Sequence, residues 1–316
     1  MTRARSESYD LDSTTLYHCI SRCVRRAFLC GTDSYTGQCF EHRKDWIELR
    51  LFFLAQFFAI EIYAFAILSN HLHCVIRINR SAALAWTQEE VIERYTKLFK
   101  NAKPMLEPLQ GKARDELIEA WRSRLYDISW FMRMLNEDIA RRANKEDEVT
   151  GRFWEGRFKC QPLLDTHSLI TCMAYVDLNH VRAGITRCLD TEVHSSISRR
   201  LAKAEASPAT PVPNGLVPFD DQTSDDAEAK VPMSLRDYVE LLEWTGRCRR
   251  KAKSGRLRRK PPKLLQRLSI DVDAWLDTMQ PEGLRNVSVL GSAEKLGAFA
   301  TKHGKRWVRG KSLLKS

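Results

Sequence analysis

Apolar and polar positions alternate in short blocks, and each block predicts an element. Residues 16–24 read as a strand, and a helix follows from about Glu41, where Trp46, Leu49, Phe53 and Phe57 recur at helical spacing. Ile60, Ile62, Ala64, Ala66 and Leu68 then alternate with Glu61, Tyr63, Phe65 and Ile67, a second strand. Ser69-Asn70 makes a tight turn into a third strand, residues 71–78. A helix is expected near 88–100, then a polar segment with Pro104 and Pro108, and a helix over about 129–144. Residues 151–163 read as a fourth strand, and a last helix is expected from an Asp165 cap to a stop at Gly184. The order strand, helix, strand, strand, helix, strand predicts an α+β fold. It is a ferredoxin-like split βαβ with an antiparallel sheet that carries helices on one face and leaves the other open.

The third strand holds the most informative residues. Side chains alternate across a strand, so His71, His73, Val75 and Arg77 share one face while Leu72, Cys74, Ile76 and Ile78 share the other. The apolar set is the better candidate for packing under helices, which puts the histidines on the open face. Two imidazoles on one face of a rigid strand can reach one divalent cation. The alternative is a pair of partly buried histidines satisfied by neighbours, and a metal site would still need a third ligand.

Charge narrows the class of partner. The chain has 316 residues, with 51 Lys and Arg against 40 Asp and Glu, a net charge of +11. Such a surplus favours a polyanion, with nucleic acid the default. None of the nine cysteines forms a C-x-x-C pair, which argues against structural zinc, and they are expected to be reduced thiols of a cytoplasmic, nucleoid-associated protein. The apolar stretch 49–68 is interrupted by Arg50, Gln56 and Glu61, so no membrane span is expected. Proline and aspartate mark residues 201–232 as a linker. Beyond it, residues 233–316 are expected to form a basic helical extension, with a helical pattern over 234–244. An acid-free run over 247–263 includes Arg249, Arg250, Arg258 and Arg259, which suggests a DNA-binding arm if it is not simply solvated.

On the predicted helix after Asp165, Leu169, Met173 and Val176 form the apolar stripe, and Tyr175 and Asn179 lie four residues apart on its shoulder. Tyrosine there is usually a packing residue, but the Asn179 amide oxygen could serve as the third ligand for a hard cation.

Asn70-His71-Leu72-His73 resembles the His-hydrophobic-His signature of the HUH endonuclease superfamily. Tyr17-His18, the block from Gly151 to Lys159 and the block from Tyr175 to Gly184 are similar to those of its one-tyrosine transposases, most closely the REP-associated branch. The resemblance covers about residues 10–190, taken as a catalytic domain over 1–200, and departs from the pattern where His180 replaces a proline. It implies that His71, His73 and Asn179 hold Mg²⁺ or Mn²⁺, and that Tyr175 is a nucleophile that forms a 5′-phosphotyrosine. The implied partner is single-stranded DNA carrying hairpins or palindromic repeats, bound by a monomer or homodimer. Arg22, Arg25, Arg26, Arg152, Arg157 and Lys159, interleaved with Phe153, Trp154 and Phe158, suit such a strand, because cations track phosphates and aromatic rings stack unpaired bases. Two other readings use the same residues: a catalytically silent DNA-binding protein of this fold, and a phosphodiesterase in which water attacks and Tyr175 has no role.

Overall fold

The computed structural model describes residues 10–24, 28–33, 35–182, 194–205, 215–222, 229–251 and 260–312. The strands are β1 (Leu16–Arg22), β2 (Ile60–Ile67), β3 (His71–Ile78), β4 (Lys159–Leu163), β5 (Val289–Leu290) and β6 (Gly310–Lys311). Between β1 and β4 lie α1 (Arg43–Ala55), α2 (Arg80–Ala85), α3 (Gln88–Leu98), α4 (Ala102–Leu106), α5 (Gly111–Leu125) and α6 (Ile128–Glu146). After β4 come α7 (Thr166–Asp177), α8 (Asn179–Arg182), α9 (Ser196–Glu205), α10 (Leu235–Lys251), α11 (Lys263–Arg267), α12 (Val272–Thr278) and α13 (Ala293–Lys302).

The sheet order is β2-β3-β1-β4-β5-β6. Each of the first four strands runs antiparallel to its neighbours, the arrangement expected for a split βαβ, and β5 and β6 extend the β4 edge in parallel. The fold is α+β.

One sheet face is a dry core. Leu72, Cys74, Ile76 and Ile78 of β3 and Tyr17 and Cys19 of β1 pack with Ile47, Leu51 and Leu54 of α1 and Phe131, Met132 and Leu135 of α6. The stripe expected on α1 is the wrong one: Ile47, Leu51 and Leu54 face inward, while Leu49 and Phe53 are exposed. Both sides of that helix carry large apolar residues, so spacing alone does not choose between them. In β2 a bulge at Tyr63 breaks the strict alternation. Ile60, Ile62, Phe65 and Ile67 therefore join the dry core, and Tyr63, Ala64 and Ala66 turn to the opposite face.

That opposite face is not open. Leu169, Met173 and Val176 of α7 cover it, and so do Val217, Phe219, Val231, Tyr238, Leu241 and Trp275 from the last third of the chain. The reason lies in the strands: Val75, Ala64 and Ala66 are apolar and need cover, although along β3 Val75 is flanked by His73 on one side and by the Arg77–Glu61 pair on the other. Residues from both sides of the expected boundaries at 201 and 233 contribute to this one core. The described part of the proline-rich segment is packed as well, with the Val217 N–H donating to the Ile62 carbonyl at 2.9 Å. A buried carboxylate ties these layers together. Asp177 accepts from Tyr238 Oη at 2.6 Å, from the Ile197 N–H at 2.9 Å and from Ser196 Oγ. Burial holds its pKa up despite these three donors.

Other expectations shift. The fourth strand is only Lys159–Leu163, the rest of 151–163 being loop. The polar segment with Pro104 and Pro108 contains α4 and leads into α5, whose Ile118, Trp121 and Leu125 pack on Val91 and Tyr95 in a small separate core. The long helix from Asp165 breaks at Leu178 into α7 and α8, and Gly184 lies outside the described residues. Among the described residues no helix is long and apolar enough to cross a membrane.

Candidate active site

Near its turn the β2–β3 hairpin presents His71 and His73, and α7 lies across the same face. Asp165 caps α7 by accepting from the Ser168 N–H at 2.8 Å, which fixes the start of the helix and with it the rotation of Tyr175. His71, His73, Tyr175 and Asn179 all line one cavity of about 750 Å³. These are the four residues that the sequence placed together as a candidate site. The cavity also takes in His18 of β1 and Pro281, Glu282, Leu284 and Arg285 from the C-terminal segment, which is supposed to lie apart.

The hydrogen bonds dictate which ring nitrogens carry hydrogen. Gln161 Nε2 donates to the carbonyls of Leu284 at 3.1 Å and Val287 at 2.5 Å, so its oxygen is the atom that meets His18 Nδ1 at 2.7 Å. An amide oxygen only accepts, and His18 Nδ1 is therefore the donor. In neutral His18 the lone pair then sits on Nε2, which faces His73 Nδ1 at 2.8 Å, and that contact requires the hydrogen on His73 Nδ1. His71 Nδ1 donates in the same way to Asn70 Oδ1 at 2.6 Å. In both histidines the lone pair is left on Nε2, and the partner on Nδ1 fixes the ring, which is how metal-binding imidazoles are commonly held. Gln161 and the C-terminal carbonyls went unseen in the sequence, because their link to His73 runs through three strands and a distant loop. His18 could have been found, since on β1 it shares a face with Leu16 and Ile20, opposite Tyr17 and Cys19.

Tyr175 is almost buried, with its ring edge-on to His18 and His73 at centroid distances of 6.4 and 6.2 Å. Its hydroxyl donates to the Pro281 carbonyl at 3.2 Å. Asn179 Nδ2 is buried with no hydrogen-bond partner, so the amide is held in this wall without a protein acceptor for its nitrogen. Among the described residues no three His, Cys, Asp or Glu side chains cluster to hold an ion. A cation between His71 and His73 would therefore need the Asn179 amide and solvent to complete its shell, and two imidazole nitrogens with an amide oxygen are a chemically adequate, weakly selective donor set.

His180, where the resemblance expects proline, is outside the cavity. Its Nε2 donates to the Ile67 carbonyl at 2.9 Å, and burial pushes its pKa down to about 4, so it is a neutral packing residue at ordinary pH.

The expected DNA-contacting cations divide. Arg22, Arg157 and Lys159 line the cavity, with Arg22 also paired to Glu155 at 3.4 Å. Arg152 is exposed on the preceding loop. Arg25, Arg26, Arg258 and Arg259 lie outside the described residues, and Arg249 and Arg250 fall in α10 with their side chains outside the description. Among the interleaved aromatics, Phe153 is core and Trp154 donates its indole N–H to the Asn136 carbonyl at 2.8 Å, so neither is a free stacking surface. Arg285, unremarked in the sequence, completes the basic wall.

No protein-family model matches the sequence, and no curated protein matches it. Among solved structures, one described as a REP-associated tyrosine transposase bound to a REP hairpin is similar with a TM-score of 0.39 and 14% identity, over 74% of this chain and 100% of that one. At this level of overlap the likeness assigns no residue and no activity.

Proposed function

We propose that the protein is a divalent-cation-dependent DNA strand transferase in which Tyr175 becomes joined to a 5′ phosphate. One observation carries this reading: His71, His73, Tyr175 and Asn179 converge on a single cavity whose wall includes Arg22, Arg157, Lys159 and Arg285. A cation held by His71, His73 and Asn179, Mg²⁺ or Mn²⁺ by the resemblance, would offset the negative charge that builds on the phosphate oxygens during displacement. The basic wall holds the strand through its phosphates and orients the scissile bond. Tyr175 Oη attacks phosphorus, the bond to the 3′ oxygen breaks, and that oxygen leaves as a 3′-hydroxyl. The phenolic proton passes to solvent, since the Pro281 carbonyl accepts hydrogen bonds but not protons. One phosphodiester replaces another, so rejoining to a new 3′-hydroxyl needs no nucleotide hydrolysis.

A second reading, a silent DNA-binding protein, is favoured by the same Pro281 contact, which occupies the Tyr175 hydroxyl as it stands. Incubation with a labelled hairpin-bearing single strand and Mn²⁺, followed by denaturing electrophoresis, separates the two. A covalent adduct that disappears in Tyr175→Phe supports the transferase. Binding without an adduct supports the silent protein, and cleavage without an adduct supports attack by water.

A further inference from the structure

Beside the histidine cavity lies a second one that the strand-transfer chemistry does not use. β4 and β5 pair at Leu163 and Leu290, and residues 159–162 and 285–289, which precede that pair, line a gap. The gap holds about 740 Å³, a size that encloses one small ligand and suits one or two nucleotides rather than a duplex. Arg157, Lys159 and Arg285 line both cavities, so the two are continuous along one basic wall. Lys305 and Arg309 add positive charge to the second cavity, and no aspartate or glutamate lines it. Trp307 also lines it and is 72% exposed. A bare indole among cations and without carboxylates is poorly explained by packing. It is the combination that binds unpaired nucleotides: cations follow the phosphates and an aromatic face stacks the base.

We propose that this cavity is a subsite for one or two unpaired nucleotides of the strand whose phosphate enters the histidine cavity, with a base stacked on Trp307 and phosphates held by Lys305 and Arg309. The proposal rests on the DNA reading above and adds to it a place in the C-terminal segment for the unpaired nucleotides next to the reacting phosphate. Stacking is tolerant of base identity, so the subsite distinguishes single strand from duplex more than one sequence from another.

The test uses the full chain, fluorescent single-stranded and fully paired oligonucleotides of one sequence, and titrations at several salt concentrations. Trp307→Ala should weaken single-strand binding about tenfold with little change in salt dependence, while Trp307→Phe, which keeps a ring, retains most of the affinity. Lys305→Ala with Arg309→Ala should flatten the slope of log K against log salt by roughly 1.4 units for the single strand. Duplex binding should be unchanged in all three. Single-strand affinity unchanged in Trp307→Ala, equal loss for duplex, or full displacement of the single strand by polyglutamate at matched charge would overturn the subsite. Adduct formation at Tyr175 is followed in the same samples. An adduct with unchanged Trp307→Ala binding refutes the subsite alone, whereas a wild-type chain that binds no single strand refutes the DNA reading and the subsite with it.

Discussion

The two faces of β3 differ in what they bury. Towards α1 and α6, Leu72, Cys74, Ile76 and Ile78 are sealed among apolar side chains. Towards α7, only Val75 joins a hydrophobic core, while Arg77 pairs with Glu61 at 2.8 Å and the two histidines look into a cavity. One strand therefore separates two tasks by a single residue step. Replacements on the first face should be read as stability, and replacements on the second mainly as chemistry.

The sharpest break between the faces is expected at the nucleophile. Tyr175→Phe should abolish adduct formation while DNA binding and the melting temperature stay near wild type, since the ring and its packing are kept. An adduct in this variant would move the chemistry elsewhere.

His71→Ala should reduce Mn²⁺-dependent cleavage about a hundredfold or more with little loss of stability, because the ring is only half buried and its δ nitrogen bonds the neighbouring Asn70. His73→Ala should show the same loss together with about 1–3 kcal/mol of destabilisation, since it takes the His73 donor away from the Nε2 of buried His18. Ile76→Ala, on the opposite face, should cost about 2–5 kcal/mol in denaturant unfolding and leave cleavage per folded molecule unchanged. Cleavage by His71→Ala that persists in chelator would make the histidines packing residues and erase the distinction.

Gln161→Ala sharpens the comparison, because Gln161 touches the chemistry only through His18. At saturating DNA the half-saturating Mn²⁺ concentration should rise about 10- to 100-fold. A stability loss without that shift would make Gln161 purely structural.

The smallest effect is expected where the two layers meet around the β2 edge. Glu48 of α1 is bonded by His194 and Arg199. Burial alone would raise its carboxyl, but those two donors outweigh it and hold the pKa below the ordinary 4.5. A lowered folded-state pKa adds stability above that value and loses it as the pH falls through the folded value. In thermal melts wild type should exceed Glu48→Gln at neutral pH, and the gap should close as the pH drops below 4.5. A gap that is constant with pH would show that the pair contributes shape and not charge.

What could be read from the sequence was local. The hairpin, its alternation and the Asp165 cap depend on neighbours within a few residues, so the juxtaposition of His71, His73, Tyr175 and Asn179 was legible. The buried stripe of α1 was not, because that helix carries large apolar residues on both sides, and the Tyr63 bulge left no mark in a strand apolar on both faces. α5 was hidden by the prolines before it. The C-terminal wall was least legible, since nothing near Pro281 or Arg285 indicates which distant surface it will cover.

The route from the Leu284 and Val287 carbonyls through Gln161 and His18 to His73 also has a consequence in time. A ribosome releases β1, β3, β4 and α7 well before it reaches these carbonyls. Some hundred residues separate Asn179 from Val287, so at roughly 5–20 residues per second the delay is about 5–20 s. During that interval a nascent chain already has the histidine pair but lacks the acceptors that orient the Gln161 amide, and a message that breaks before the Leu284 codon never supplies them. In this protein a segment synthesised late sets which ring nitrogens carry hydrogen on a strand made much earlier.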